Sequence, residues 1–209
     1  MFYVHQSKVF PEESEVLFED SFTGTDLSQN WEVSGGEWNA RDGILTGSTR
    51  ENAGALIYSY QQFPGDVMLD FYGTMIPPCS NDLNFCWRSK GWDYEKKDAD
   101  IGYIAGLGGW WTGRTGIEKY PECDLFALTN CLVPESGREY HIQAGIIGHM
   151  CFVTVDNRVI LEMRDPDPIL EPDCNRIGLG TYCSQIQFRG FKVLRPKWEK
   201  AELSYTPTF

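Results

Sequence analysis

Residues 152–161 read F-V-T-V-D-N-R-V-I-L. Two β-branched runs flank Asp156 and Asn157, a pair that tolerates the positive φ angles of a tight turn. This stretch therefore predicts two antiparallel strands joined in a hairpin. Apolar and polar residues alternate with the same period of two along most of the chain, and no long stretch has the 3.6-residue period of a helix. The alternation predicts an all-β protein.

The strands predicted in this way are short, and turn residues separate them. Ten or more such strands in one chain are typical of an antiparallel β-sandwich of the jelly-roll type. The final strand, over residues 185–194, is expected to pair with an early one and to close a single domain over residues 1–209. Within that domain we expect residues 1–16 and 196–209 to be peripheral.

The composition limits the partners of the chain. It has 209 residues, of which 42% are hydrophobic, and a formal net charge of -12. Because nucleic acids and anionic membrane surfaces repel negative charge, neither is expected as the main partner. No stretch approaches the ~20 apolar residues of a membrane span, and the N-terminus lacks the pattern of a signal peptide. We therefore expect no membrane partner.

The cysteines indicate a compartment rather than a site. There are seven, they are scattered, and none are spaced C-x-x-C. This usage argues against a zinc ribbon and favours a reducing, cytoplasmic setting. With three histidines in the chain, a histidine-based metal site is not expected either. A structural Ca²⁺ would suit such a sandwich, but no ladder of Asp and Asn marks a site, so the sequence predicts no cofactor.

Residues 101–124 carry the strongest functional signal, I-G-Y-I-A-G-L-G-G-W-W-T-G-R-T-G-I-E-K-Y-P-E-C-D. A strand-like run breaks into a glycine-rich loop, residues 106–121, that presents Trp110 and Trp111, which are costly to leave in water unless something stacks on them. Sugar rings suit such sites, because their apolar C–H faces lie on aromatic rings while charged groups and amides bind the hydroxyls. Two alternatives stay open: both tryptophans plug the core, or they are buried in an interface between copies of the chain.

Several stretches resemble the concanavalin A-like lectin and glucanase superfamily. Residues 17–22 (L-F-E-D-S-F) and 36–45 (G-E-W-N-A-R-D-G-I-L) are similar to its opening strand and first hairpin. Residues 153–158, 176–181 and 188–193 are similar to its closing strands. The resemblance implies a concanavalin A-like sandwich but little about chemistry, because this fold carries lectins, hydrolases, lyases and structural modules.

Two subfamilies are closer. Residues 81–88, N-D-L-N-F-C-W-R, resemble a segment of the 3-keto-disaccharide hydrolase domains, which implies a place for Arg88 in a sugar site. Residues 102–104, G-Y-I, lack the glutamate that usually follows Gly-Tyr in that family. Residues 55–92 and 100–124 are more similar to the bacterial YesU-like proteins, and this resemblance implies a link with the use of pectin-type polysaccharides.

Three carboxylates that follow the tryptophans are the candidate catalytic residues: Glu118, Glu122 and Asp124. A glycosidase needs two carboxyl groups roughly 5 to 10 Å apart, one protonated and one ionised. If residues 117–124 were extended, Glu122 and Asp124 would lie about 6.6 Å apart on one face, and Glu118 and Glu122 about 13 Å apart. A bend at Pro121 would bring Glu118 closer. The alternative is that all three are ordinary solvated charges of an acidic protein.

The remaining candidates would bind the substrate. Lyase chemistry needs a cation to neutralise a uronate and a base such as His, Tyr or Lys. We expect a concave cleft with residues 106–121 and 90–93 as walls and with Asn84, Arg88 and His141 as its floor. The candidate substrate-binding residues are Trp110, Trp111, Arg88, Asn84, Trp92, Asp93, Arg114, Lys119, Tyr120 and His141.

These features predict an intracellular carbohydrate-active protein that hydrolyses or eliminates an oligosaccharide in a concave aromatic cleft. The alternative function is a non-catalytic, lectin-like glycan-binding module. A third hypothesis makes the same face an oligomer interface, so a homo-oligomer is the protein partner that the sequence suggests.

Overall fold

Two antiparallel β-sheets face each other in the computed structural model, which describes residues 1–50, 54–110 and 113–201. The predicted β-sandwich of the jelly-roll type is confirmed. The described residues form twenty strands and two short 3₁₀ helices, Pro11–Glu13 and Leu27–Gln29. In chain order the strands are β1 (Phe2–Val4), β2 (Ser7–Val9), β3 (Glu15–Asp20), β4 (Trp31–Val33), β5 (Glu37–Arg41), β6 (Ile44–Ser48), β7 (Gly54–Ser59), β8 (Val67–Met75), β9 (Leu83–Ser89), β10 (Trp92–Asp93), β11 (Asp98–Ala99), β12 (Gly102–Trp110), β13 (Arg114–Tyr120), β14 (Phe126–Thr129), β15 (Glu139–Ile147), β16 (Met150–Val155), β17 (Arg158–Arg164), β18 (Arg176–Tyr182), β19 (Gln185–Arg195) and β20 (Trp198–Lys200).

The sandwich consists of a seven-stranded front sheet and an eight-stranded back sheet. In the front sheet the strands are ordered β14-β13-β12-β9-β18-β7-β4. In the back sheet the order is β17-β16-β15-β8-β19-β6-β5, and β3 also pairs with β19. The expected pairing of the last long strand with early ones is confirmed, because β19 is hydrogen-bonded to β3, β6 and β8.

Tight turns close the hairpins that the sequence predicts. Asp156 and Asn157 join β16 to β17 with φ angles of 50° and 64°. Asp42 and Gly43 join β5 to β6 with φ angles of 53° and 86°. Two successive positive φ angles match the right-handed twist of the flanking strands, so these turns keep the strands in register.

Side chains from both sheets fill the space between them. On β9, Leu83, Phe85 and Trp87 are fully buried and belong to this core. Phe71 of β8 meets Phe85 edge-on across the sandwich, with ring centroids 5.4 Å apart. Phe191 of β19 packs edge-on against Trp31 at the same centroid distance, 5.4 Å. Aromatic contacts of this kind bury large apolar areas and stabilise the pairing of the sheets.

The two ends of the described chain meet on the outer side of the back sheet. β1 and β2 form a three-stranded sheet with β20. Phe2 and Val9 are buried there against Phe152 and Leu194 of the back sheet. The assignment of residues 1–16 and 196–209 to the periphery of a single domain stays a prediction, and residues 202–209 lie outside the described part.

No disulfide bond is formed by the cysteines of the described ranges. In the described ranges no helix has the length and apolar character that crossing a membrane requires. The same ranges contain no group of three or more His, Cys, Asp or Glu side chains that could hold a metal ion.

Replacement of Phe191 tests the aromatic core. Phe191→Ala should lower the free energy of unfolding by about 3 to 5 kcal/mol, because it removes a fully buried ring and leaves a cavity beside Trp31. Phe191→Leu should lower it clearly less, since leucine refills much of that volume. Urea unfolding followed by circular dichroism measures both variants, and equal losses would contradict a packing role.

Candidate functional site

The outer face of the front sheet carries a cleft of about 730 Å³, which we call the front cleft. It crosses β7, β18, β9, β12 and β13, and the hairpin of β10 and β11 borders it. Its lining combines aromatic rings with polar and mostly acidic side chains. The aromatic and charged or amide members are Trp92, Trp110, Tyr120, Tyr182, Asp82, Asn84, Lys97, Asp98 and Glu118.

A row of small residues forms the trough of the front cleft. Gly116, Gly106, Asn84 and Gly180 are direct neighbours on β13, β12, β9 and β18. A Cβ atom on Gly116 would lie 2.8 Å from the Trp110 ring, and one on Gly106 would lie 2.1 Å from Asn84 Oδ1. Because neither distance leaves room for a side chain, glycine is needed for Trp110 to lie over the sheet and for Asn84 to occupy the trough.

The prediction of a loop over residues 106–121 is wrong, because β12 and β13 are paired strands through most of that range. Trp110, the last residue of β12, is half-buried in an aromatic platform on the outer face. Together with Trp92 and Tyr120 it packs on an apolar patch that consists of Leu56, Tyr58, Cys86, Ala99 and Ile104. The Trp110 side chain therefore lies outside the core between the two sheets and within the front cleft. Trp111, its predicted partner, lies outside the described residues.

Asp82 stands at one end of the front cleft and is only 8% exposed. It precedes β9 with a φ of 59°, and Asn81 Nδ2 donates a hydrogen bond to its Oδ2 at 2.9 Å. A Cβ atom on Gly109 would lie 1.9 Å from Oδ1, so that glycine makes room for the carboxyl group. Burial raises the pKa of Asp82 to about 6, against the lowering effect of the Asn81 hydrogen bond.

Glu118, Asp98 and Tyr120 line the opposite end of the front cleft. The pKa of Tyr120 is raised first by burial, and also by the negative charge of Cys123, Asp98 and Glu118 when these are ionised. Both carboxylates therefore act on the same hydroxyl group.

The register separates Asp82 from Glu118. Asn84 and Gly116 lie in one row across the sheet, two strands apart. Asp82 lies two residues before Asn84, and Glu118 lies two residues after Gly116, so the two carboxyl groups are displaced from the row in opposite directions. Strand rise and strand spacing then place the two Cα atoms about 16 Å apart. The carboxyl groups are thus at or beyond the roughly 5 to 10 Å of a glycosidase pair.

A second cleft of about 480 Å³, which we call the side cleft, is lined by one of the predicted catalytic carboxylates, Glu122. β13 ends at Tyr120, and the chain then turns, with Cys123 N donating to Lys119 O at 2.9 Å. The extended geometry considered for residues 117–124 is therefore wrong. Glu118 lines the front cleft and Glu122 lines the side cleft. Asp124 is exposed beyond the turn and lines neither cleft.

Lys119 faces the side cleft, where it belongs to a polar network. Its Nζ lies 2.9 Å from Asp165 Oδ2, which also accepts a hydrogen bond of 2.6 Å from the Tyr103 hydroxyl. Burial alone would raise the pKa of Asp165, but hydrogen bonds from Tyr103, Lys119 and the Asp167 backbone outweigh it and lower the pKa. Lys119 therefore anchors the segment around Asp165 to β13.

Arg88 and His141 are not the floor of the front cleft, which corrects the prediction. Arg88 has a φ of 48°, and this break in the alternation sends its side chain to Ile169, where Nη1 donates to the backbone O at 3.0 Å. His141 lies on β15 of the back sheet and bonds to Asp70 Oδ1 at 2.8 Å. The hydrogen bond to Asp70 raises the pKa of His141 despite its partial burial.

Asp93 and Arg114 are near the front cleft without lining it. Asp93 Oδ1 accepts hydrogen bonds from the backbone N–H groups of Glu95 and Lys96, at 2.9 and 3.0 Å, and so shapes the hairpin of β10 and β11. Arg114 is exposed and pairs with Trp110 at the start of β13. The predicted residues that the structure does bring together in the front cleft are Trp110, Trp92, Asn84, Tyr120 and Glu118.

Sequence reasoning missed Asp82, Asp98 and Lys97, which also line the front cleft. A signal for Asp82 was present, because it shares the period-two face of Asn84. Gly106 was the second signal, since a glycine in a strand leaves room for the side chains of neighbouring strands.

No protein-family model and no curated protein matches the chain, but solved structures do. A carbohydrate binding module, CBM66, from Bacillus subtilis superposes with a TM-score of 0.60 at 16% identity, over 79% of this chain and 96% of that one. A Bacillus subtilis protein of unknown function with a galectin-like fold has a TM-score of 0.62 at 12% identity, over 91% and 98%.

A prokaryotic β-1,3-1,4-glucanase (lichenase) derived from a mouse hindgut metagenome matches with a TM-score of 0.60 at 14% identity, over 86% of this chain and 99% of that one. Likeness at such identities establishes the fold. The chain therefore has the galectin- and concanavalin-like β-sandwich fold that the sequence resemblance implies, and its activity has to be argued from the cleft.

Asp82→Asn should make the protein more stable at neutral pH. A carboxyl group whose pKa is raised on folding binds more protons in the folded state, so its contribution to stability falls as the pH rises from about 4 through 6. The amide does not ionise, and asparagine tolerates a positive φ. Urea unfolding should show a gain of up to about 3 kcal/mol at pH 7.5 and none at pH 4. An equal gain in stability at both pH values would indicate that the substitution acts through packing and not through the ionisation of Asp82.

Proposed function

We propose that the front cleft binds an oligosaccharide, with Trp110 as the main stacking surface. The observation that carries this proposal is the half-buried Trp110 side chain, which lies over Gly106 and Gly116 in an open trough. An aromatic ring held in this way presents an apolar surface that matches the C–H face of a sugar ring. Asn84, Asp98 and Glu118 line the same cleft and would bind hydroxyl groups.

The similar folds support the same class of ligand. One structural neighbour is named a carbohydrate binding module and another a β-1,3-1,4-glucanase. The finer identity, a YesU-like or 3-keto-disaccharide hydrolase relative in a bacterial cytoplasm, is part of this proposal. It rests on the sequence resemblance and on the cysteine usage.

The distribution of charged groups favours binding over the chemistry that the sequence suggested. Glu118 and Glu122 lie in different clefts, and Asp82 is about 16 Å from Glu118 at Cα by strand geometry. The groups considered for β-elimination are also dispersed. Arg88 binds Ile169 O, Lys119 binds Asp165, and His141 lies on the back sheet.

Hydrolysis at the Glu118 end is the second candidate function. It is favoured by one observation, that the side chains of Asp98, Glu118 and Tyr120 all line the front cleft. Two carboxyl groups in one cleft are the elements that acid and base catalysis of glycoside cleavage requires.

Trp110→Ala should weaken glycan binding by about 1 to 3 kcal/mol, which is about 5- to 150-fold in Kd, because it removes the stacking surface. Isothermal titration calorimetry with a panel of neutral, amino and uronate-containing oligosaccharides measures the loss. Trp198→Ala is the matched control, since Trp198 is an exposed tryptophan on β20, at the back of the molecule. Affinity that is unchanged in Trp110→Ala would reject the stacking role. A change in molecular mass in the same variant would instead favour an oligomer interface.

Mass spectrometry of the same panel after incubation separates binding from catalysis. We expect bound oligosaccharides to be recovered intact. If a product that has gained water forms, Glu118→Gln should abolish it and Glu122→Gln should leave it, because only Glu118 lines the front cleft. Turnover that depends on Glu122 would move the active site to the side cleft.

A further inference from the structure

Two neighbouring side chains at one end of the front cleft present hydrogen-bond acceptors that the fold leaves under-used. Asp82 and Asn84 lie two residues apart on one face of the chain, and both line the cleft. Each faces a glycine of β12, Gly109 for Asp82 and Gly106 for Asn84. The missing side chains on β12 leave room at this end of the cleft for the Asp82 and Asn84 side chains.

The hydrogen bonding of these two groups is incomplete. Asn84 Oδ1 is buried and has no hydrogen-bond partner among the described residues. For Asp82, the Asn81 amide is the one partner found in the described ranges. Buried acceptors without donors are costly, and a buried carboxyl without a cation even more so. A ligand that carries several donors and a positive charge would remove both penalties.

The charge of the cleft agrees with this requirement. Asp82, Asp98 and Glu118 line it, whereas Lys97, which is exposed, is the one Lys or Arg among its described lining residues. The chain as a whole carries a net charge of -12. The negative electrostatic potential of these charges attracts cations and repels the carboxylate of a uronate.

We propose that Asp82 and Asn84 form an amine subsite, which takes the ammonium group of an amino sugar within the glycan bound over Trp110. This inference rests on the proposed function. An ammonium group offers three donors and a full positive charge, so one group can bind the Asp82 carboxylate and Asn84 Oδ1 together. A neutral hydroxyl offers one donor and leaves the carboxylate without a counter-charge.

Three tetramers that differ only at C2 test the subsite: those of β-1,4-linked glucosamine, N-acetylglucosamine and glucose. By calorimetry at about pH 6.5 and low salt, the glucosamine tetramer should bind at least tenfold more tightly than either neutral one, and added salt should reduce this preference. Equal affinity for all three would overturn the amine subsite.

Asp82→Asn should weaken the binding of the glucosamine tetramer at least tenfold and change the affinity for the glucose tetramer less than twofold. Glu37→Gln on the back sheet is the control, because it removes the same unit of charge at an exposed position outside the cleft. An equal loss in both variants would indicate a long-range effect of net charge and reject the subsite. A melting curve checks that each variant is folded.

The failure of this inference and of the proposed function can be distinguished. If neutral glycans bind in a Trp110-dependent way and the glucosamine tetramer does not bind, the amine subsite is rejected and the glycan cleft stands. If no oligosaccharide of the panel binds and Trp110→Ala has no effect, both are rejected.

Discussion

The contact between Trp110 and the glycines beneath it determines the shape of the front cleft. Glycine weakens a strand, because it raises the backbone entropy of the unfolded chain and offers no side chain to pack. β12 and β13 tolerate it because both are hydrogen-bonded on two sides, and because their other face places Ala105, Leu107 and Ile117 in the core between the sheets. The stability of the sandwich thus comes from one face of the front sheet, which leaves the opposite face free to form a trough.

The fold could be predicted from local patterns, whereas the site could be predicted only in part. Period-two alternation and turn residues are local, so the sandwich and the hairpin at Asp156 follow from the sequence, and the resemblance supplied the hairpin at Asp42. Trp110 was found because two adjacent tryptophans are costly to expose to water. Arg88 was placed in the wrong position because its positive φ breaks the alternation. His141 was misplaced because a strand pattern does not reveal to which of two sheets the strand belongs.

The turn after Tyr120 shows why spacing alone could not assign the carboxylates. Glu118 and Glu122 are four residues apart, yet the end of β13 directs them into different clefts, and Tyr120 lines both. Lys119 bonds to Asp165 and so ties the side cleft to a segment that is distant in sequence. Such long-range contacts decide which charges share a site.

Asp165 and Asp82 show how differently one fold treats two buried carboxyl groups. Asp165 receives hydrogen bonds from Tyr103, the Asp167 backbone and Lys119, and its pKa is lowered in spite of its burial. Among the described residues Asp82 receives one hydrogen bond, from Asn81, and burial raises its pKa. A carboxyl group with a purely structural role would be stabilised by hydrogen bonds such as those that Asp165 receives. Asp82, which lacks them, faces the front cleft, and carboxyl groups destabilised in this way are found at sites where a ligand supplies the missing hydrogen bonds. The incomplete hydrogen bonding of Asp82 is therefore better explained by binding than by folding.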